Sequence, residues 1–266
     1  MTSPRALHLT SARNPLLIEI RKAAVRGTLT DSGYCIAETF HLLEEAVRSD
    51  CEIGAVIASE AVRETVRRRV DGLRGVDVLS VPDALFREIS ATESSQGVMT
   101  LVRPRVWELA HVFRAQSLVV VLDGVQDPGN AGAILRAAEA FGATGALFLK
   151  GTVSAFNPKA IRSSAGSIFR LPLVSQIDVE LALAALRQHR LDVYAADANG
   201  EAIAAEADLR RRCAFIIGSE GRGISVPLRG AATGLRIPIT QVESLNAAMA
   251  AGILLYEASR QRRLPG

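Results

Sequence analysis

Two rhythms of apolar and polar positions run along the chain. From residue 117 onward, short runs dense in Val, Ile, Leu and Phe recur: SLVVVLDGV, GALFLK, LDVYAAD, CAFIIGSE and LRIPIT. Helical stretches alternate with them. Near-continuous apolar runs fit strands buried on both faces, so this half predicts an α/β domain with a mostly parallel sheet. Earlier in the chain the elements are more polar. Asn14 and Pro15 open a helix in NPLLIEIRKAAVRG, with Leu17, Ile20, Ala24 and Val25 expected on one face and Arg21, Lys22 and Arg26 on the rest. YCIA, GAVIAS and GVDVLSVP read as strands, and TFHLLEEAVRS, EAVRETVRRRVDGL and DALFREIS as helices. The pattern predicts a small α/β domain over residues 1–103, a linker over 104–116 and a larger α/β domain over 117–266.

Composition adds little to this frame. Hydrophobic residues make up 48% and charged residues 22% of 266, normal for a packed globular protein. Net charge is only +3, but nearly all the cations are arginine, whose planar fork suits phosphate. That is compatible with nucleic-acid binding and does not establish it. Cys35, Cys51 and Cys213, and the histidines His8, His41, His111 and His189, show no metal-ligand spacing, so no metal is expected. The first residues carry no apolar signal segment, and no apolar run is long enough to cross a bilayer; a cytoplasmic protein is expected.

The segment QDPGNAGAILRAAEAFGA, residues 126–143, sits between two apolar runs as a strand–turn–helix. A dinucleotide cradle would need Gly-x-Gly-x-x-Gly here and an acidic residue after the next strand. The turn offers only Gly129 and Gly132, and the next strand ends in Lys150-Gly151, which argues against a nicotinamide-dependent oxidoreductase. Taken alone, Asn130 reads as a helix cap and Arg136 as a solvated arginine. Two later segments change that balance. FIIGSEGRGIS is a strand running into a loop with Gly218, Gly221 and Gly223 around Glu220. In LRIPITQVESLNAAMAAGILLYEASRQ a strand is expected to end at Pro238 and a slim, alanine-rich helix to begin at Ser244.

Together these three segments resemble the motifs of the SpoU (TrmH-type) RNA 2′-O-ribose methyltransferases of the SPOUT superfamily. The first is Asn130, Gly132 and Arg136; the second Gly218, Glu220, Gly221 and Gly223; the third Ile237, Pro238 and Ile239 followed by Ser244, Leu245 and Asn246. The resemblance covers about residues 115–262. SARNPLL near the start and TESSQGV at 92–98 are similar to landmarks of the family's ribosomal-protein-like substrate-binding domain. Two departures are visible. Many relatives carry Glu-Gly where this chain has Glu38-Thr39, and often Thr where it has Ala137.

The resemblance implies a deep trefoil knot near the C-terminus, S-adenosylmethionine as methyl donor, and attack by a ribose 2′-hydroxyl. It implies a donor pocket lined by Gly218, Glu220, Gly223, Ile237, Ile239, Leu245 and Asn246. It gives catalytic roles to Arg136, Asn130, Glu220, Ser244 and Asn246. Arg136 would stabilise the attacking oxygen and is one candidate acceptor of its proton, a nearby phosphate being the other; Asn130 would orient Arg136 or the ribose, and Glu220 would anchor the first motif. Ser244 and Asn246 would shape the loop by hydrogen bonds. A homodimer is implied, with Ile253, Leu254 and Tyr256 on the last helix as interface candidates. Arg13, Arg21, Lys22 and Arg26 are the candidate RNA contacts, with Arg67, Arg68 and Arg69 as a second cluster that also fits a solvated face. The expected substrate is structured RNA, 23S ribosomal RNA first and transfer RNA second. A non-catalytic knotted RNA-binding protein is the rival from another class.

Overall fold

The computed structural model describes residues 6–73, 75–92 and 94–263. Glu93, inside TESSQGV, lies outside the described residues, as do the chain ends. Contacts divide the chain into two units: Met1–Arg105 with Phe156–Phe169, and Val106–Ala155 with Arg170–Gly266.

The first unit contains β1 (Ala6–His8), α1 (Pro15–Arg26), β2 (Cys35–Glu38), α2 (Phe40–Arg48), β3 (Ile53–Ser59), α3 (Arg63–Val70), β4 (Asp77–Val81), α4 (Asp83–Ile89) and β5 (Val98–Val102). Its sheet has the order β1-β4-β3-β5-β2, with β5 antiparallel to both neighbours. Alternate residues of the strands feed two cores. Ile36, Ile57 and Met99 pack with Leu17, Ile20 and Phe86, while Val56, Val78 and Val98 pack with Leu43, Val66 and Val70. The side chain of Asn14 caps α1 by accepting from Leu16 N at 3.0 Å. The buried stripe of α1 runs through Leu17, Ile20 and Ala23. Val25, expected on that face, is 84% exposed, since it lies roughly 140° around the helix from Ile20.

Thr39 stands where glycine was the expected residue, and the structure shows what that costs. Its φ is 142°, in the region that favours glycine, yet its hydroxyl accepts from Leu42 N at 3.1 Å and caps α2. A strained backbone and a good cap coincide in one residue.

Residues 156–169 were expected in the larger domain and group with the smaller unit instead. The helix α7 (Pro158–Ser164) buries Ala160, Ile161 and Ser164, and it packs on β2. Asn157, which caps it, sits against Gly27 so closely that a Cβ at position 27 would overlap its amide.

The second unit begins inside the expected linker. There α5 (Leu109–Val112) places Val112, fully buried, in the core of this unit. Next come β6 (Leu118–Asp123), α6 (Pro128–Ala140), β7 (Gly145–Leu149), β8 (Leu173–Ile177), α8 (Val179–Gln188), β9 (Asp192–Ala196) and β10 (Ala202–Ile203). The unit ends with β11 (Cys213–Gly218), α9 (Val226–Arg229), β12 (Thr233–Arg236) and α10 (Ala247–Arg263). The sheet order is β10-β12-β9-β11-β6-β7-β8, and every pairing is parallel. All six residues of β6 are buried, as its unbroken apolar run requires at the centre of a sheet. The short strands β1, β8 and β10 were not legible in the apolar runs.

The order reverses at the centre. From β6 the chain builds outward through β7 and β8, then crosses to β9 on the other side, and β11 later fills the gap beside β6. Such a reversal leaves a crevice at the carboxyl ends of the strands, where open α/β sheets bind ligands.

Candidate active site

Three loops leave the carboxyl ends of β6, β11 and β12. The β6 and β11 loops start side by side, because Gly218 pairs with Asp123 in register. After β6, Asp127 caps α6 by accepting from Asn130 N at 2.9 Å, and Pro128 occupies the first helical position. After β11 the chain folds back at once: Gly223 N donates to Ser219 O at 2.8 Å and Ser219 N to Gly223 O at 3.2 Å. Gly218 is needed for that turn, since a Cβ there would overlap the backbone of Gly223 and Ile224. The loop is then tied down where Ser225 N donates to the buried carboxylate of Asp123 at 2.7 Å.

The strand β12 ends at Arg236, two residues short of the expected Pro238. Proline has no N–H for the ladder and restricts the residue before it, so Ile237 and Ile239 leave the sheet. The last helix starts at Ala247, not at Ser244. Its free N–H groups at Ala248 and Met249 donate to Asn246 Oδ1 at 2.9 and 3.2 Å.

Asn130 joins the three loops. Its amide nitrogen donates to Glu220 Oε1 in a very short contact, and its amide oxygen accepts from Asn246 Nδ2 at 3.0 Å. One side chain on α6 therefore holds both the glycine-rich loop and the cap of α10. The helices beneath support the arrangement: α10 packs on α6, and the buried residues of both include small ones, Ala247, Ala251 and Ala258 in α10 and Ala131, Gly132 and Ala138 in α6. Phe141 and Tyr256 close its far end edge to face, with ring centroids 5.6 Å apart.

Beside this junction lies a cavity of about 360 Å³. Every expected pocket residue lines it: Gly218, Glu220, Gly223, Ile237, Ile239, Leu245 and Asn246. Ser244 lines it too, with its hydroxyl free of hydrogen bonds among the described residues. Asn130 stands at its edge through Glu220 and Asn246. Arg136 does not line it. That side chain is exposed on α6 and holds no ion pair or hydrogen bond among the described residues. Sequence reasoning missed Asp197 and Arg229, both on the cavity wall. Asp197 was detectable as the residue closing the run LDVYAAD at the carboxyl end of β9; Arg229 carried no local signal.

In the first unit Arg13, Lys22 and Arg26 are exposed, with no ion pair among the described residues. Arg21 faces Glu88 at 3.9 Å. The second cluster is largely compensated: Arg67 pairs with Glu64 at 3.6 Å, and Arg69 pairs with Glu44 at 2.7 Å and lies over the Phe40 ring. Among the described residues, no group of three or more His, Cys, Asp or Glu is placed to hold a metal ion, and no helix is long and apolar enough to cross a membrane.

The reversal of the parallel sheet thus leaves a cavity with Asn130, Glu220 and Asn246 joined at its edge. Residues 117–256 match the SpoU rRNA Methylase family, and residues 14–100 match the MRM3-like substrate binding domain. The chain belongs to the SpoU rRNA methylase family. It is 33% identical to the 23S rRNA (guanosine-2′-O-)-methyltransferase RlmB of Xylella fastidiosa, over 76% of this chain and 83% of that one. It is 29% identical to the 23S rRNA (guanosine(2553)-2′-O)-methyltransferase RlmP of Bacillus subtilis, over 93% and 97%. Its fold matches the crystal structure of the SpoU methyltransferase AviRb from Streptomyces viridochromogenes in complex with AdoMet, with a TM-score of 0.85 and 26% identity over 94% and 98% of the two chains.

Proposed function

We propose that this protein transfers a methyl group from S-adenosylmethionine to a ribose 2′-hydroxyl of 23S ribosomal RNA. The observation that carries this reading is the junction of Asn130, Glu220 and Asn246 at the edge of the cavity.

The cavity suits the donor. Its size lies in the range of small-molecule sites. Ile217, Ile237, Ile239 and Leu245 offer aliphatic surface for a purine, and the turn at Gly218 allows close approach of backbone. When bound, S-adenosylmethionine supplies an electrophilic methyl group. The protein's own residues have three tasks. The aliphatic wall and the glycine turn hold the donor. Asn130, fixed from both sides, orients the ribose or the approach of Arg136. Arg136 places positive charge where the attacking oxygen gains negative charge, an interaction that grows in the transition state.

Several finer features belong to the same reading. The first unit acts as a ribosomal-protein-like grip on structured RNA, with Arg13, Arg21, Lys22 and Arg26 meeting phosphates. A deep trefoil knot in the second unit belongs to this reading. Gly200 and Gly234 adjoin where β10 runs beside β12, and a Cβ on Gly200 would stand 2.5 Å from the Gly234 carbonyl carbon. A homodimer is supported by α10, where Met249, Ile253 and Tyr256 are 57%, 38% and 54% exposed at helical spacing. Leu254, the other interface candidate, is fully buried within the subunit. The cytoplasm is the compartment that fits a ribosomal RNA substrate.

The test is to incubate the protein with labelled S-adenosylmethionine and unmodified total RNA, then map the labelled nucleotide. A 2′-O-methyl on 23S RNA is the expected result. Label on transfer RNA moves the substrate to the second candidate. Label on a base ends the 2′-hydroxyl mechanism, and no transfer with retained RNA binding favours a non-catalytic knotted protein.

A further inference from the structure

The cavity carries charge of both signs, and one of those charges has no task so far. Asp197 and Glu220 are the acids on its wall, and Arg229 is the cation. Glu220 is engaged by the Asn130 amide, and Asp197 Oδ1 accepts from Asn199 N at 2.9 Å. The Arg229 side chain holds no ion pair or hydrogen bond among the described residues. Its backbone, by contrast, is well anchored. Arg229 N donates to Ser225 O at 2.9 Å, and Ser225 N donates to the buried Asp123 carboxylate at 2.7 Å. The guanidinium is thus presented by a segment tied to the end of β6. It lies over Gly223, with Nη2 3.3 Å from the place a Cβ would take. A side chain at 223 would crowd it, in addition to the strain of a φ of +67°.

We propose that Arg229 binds the carboxylate of the amino-acid tail of the methyl donor. The inference rests on reading the cavity as the donor site. Sulfonium and ammonium groups give that donor two positive charges, and its carboxylate is the one anionic group. A cation on the wall repels the ligand unless it meets that carboxylate, and a guanidinium fork matches a planar carboxylate with two parallel hydrogen bonds. Asp197 and Glu220 give the rest of the wall the opposite sign, suited to the cationic part of the tail. Arg229 is therefore a donor-orienting residue: by fixing the tail it fixes where the sulfonium points.

The experiment is calorimetric titration of the whole protein with S-adenosylmethionine and with its decarboxylated analogue. Wild type should bind the analogue roughly tenfold to a hundredfold more weakly, the range of one charged hydrogen bond. Arg229→Gln should bind both ligands with similar, weak affinity, and Arg229→Lys should recover part of the difference. Comparing the two ligands on wild type requires no variant, so a misfolded variant cannot hide the answer. Equal affinity of wild type for the two ligands overturns the assignment while leaving the cavity as the donor site. So does an R229Q protein that binds the donor normally but RNA more weakly in a gel shift, which would make Arg229 an RNA contact. A wild-type protein that binds neither ligand removes the donor reading itself, and this assignment with it.

Discussion

Asn246 Nδ2 donates to Asn130 Oδ1 at 3.0 Å, joining residues 116 positions apart in the chain. Because Asn130 also donates to Glu220 and Asn246 also caps α10, the two amides act as one unit. Single-turnover methyl transfer by N130A, N246A and the double variant should show this. Each single change is expected to slow transfer about a hundredfold, and the double variant little more than either, a coupling on the order of 2–3 kcal/mol. Strictly additive losses would separate the two residues.

Arg136 is exposed and unpartnered among the described residues, so its removal should leave the fold intact. For Arg136→Ala the unfolding free energy is expected to stay within about 0.5 kcal/mol of wild type. Donor affinity should also persist, because Arg136 does not line the cavity. Transfer should fall by about 10²–10³-fold, the size of a lost oxyanion-stabilising group. Calorimetry and a rate assay on the same preparation decide the matter; a fully active R136A protein would remove the residue from catalysis.

Gly218→Ala places a methyl group against the Gly223 backbone, where no flexible side chain can yield. The turn must open, and the donor wall opens with it. A destabilisation of about 1–3 kcal/mol by denaturant titration is expected, together with loss of measurable donor binding. Normal donor affinity in G218A would mean that the turn does not shape the site.

Thr39 sets strain against a cap. Relief of its positive φ in Thr39→Gly is worth about 1–3 kcal/mol, while replacing a capping Thr by Gly costs only a few tenths. The variant is expected to be more stable, with a melting temperature raised by a few degrees. A lower melting temperature would show that the cap outweighs the strain.

Burial raises the Cys35 thiol to about 12 and the Cys213 thiol to about 11. In the unfolded chain both ionise near their ordinary value of 9.0. The unfolded state therefore loses these protons first, and stability falls as pH rises above about 9. Their contribution is fully present below that pH and is lost as pH approaches the folded values. Urea titrations from pH 7 to 11 should show the decline, and Cys213→Ala should make it shallower.

Much of this was readable along the chain. Continuous apolar runs marked β6, β7, β9 and β11, because a strand covered on both faces needs no polar side. The three motifs named eight of the eighteen residues on the cavity wall, since glycine turns and an Ile-Pro-Ile run are local requirements. Short edge strands escaped: β8 reads buried, half-buried, exposed, exposed, buried, and β10 has two residues. Residues 156–169 lie within the family-matched stretch 117–256 yet group by contacts with the smaller unit, and that was not legible because the partner of a buried helical face is not written next to it.

Sequence alone determined the local shapes: which runs become strands, where a proline ends one, and where only glycine can turn. It also specified the chemical groups the site would use. The parallel order and its reversal at β6 and β11 were settled by tertiary structure, which set Asp123 beside Gly218 and so brought three loops together. Asn130, Glu220 and Asn246 met only then, and Asp197 and Arg229 gained a cavity to face. The physical reason is that hydrogen bonds between distant residues depend on strand order and register, which the burial of whole faces selects and no single segment encodes.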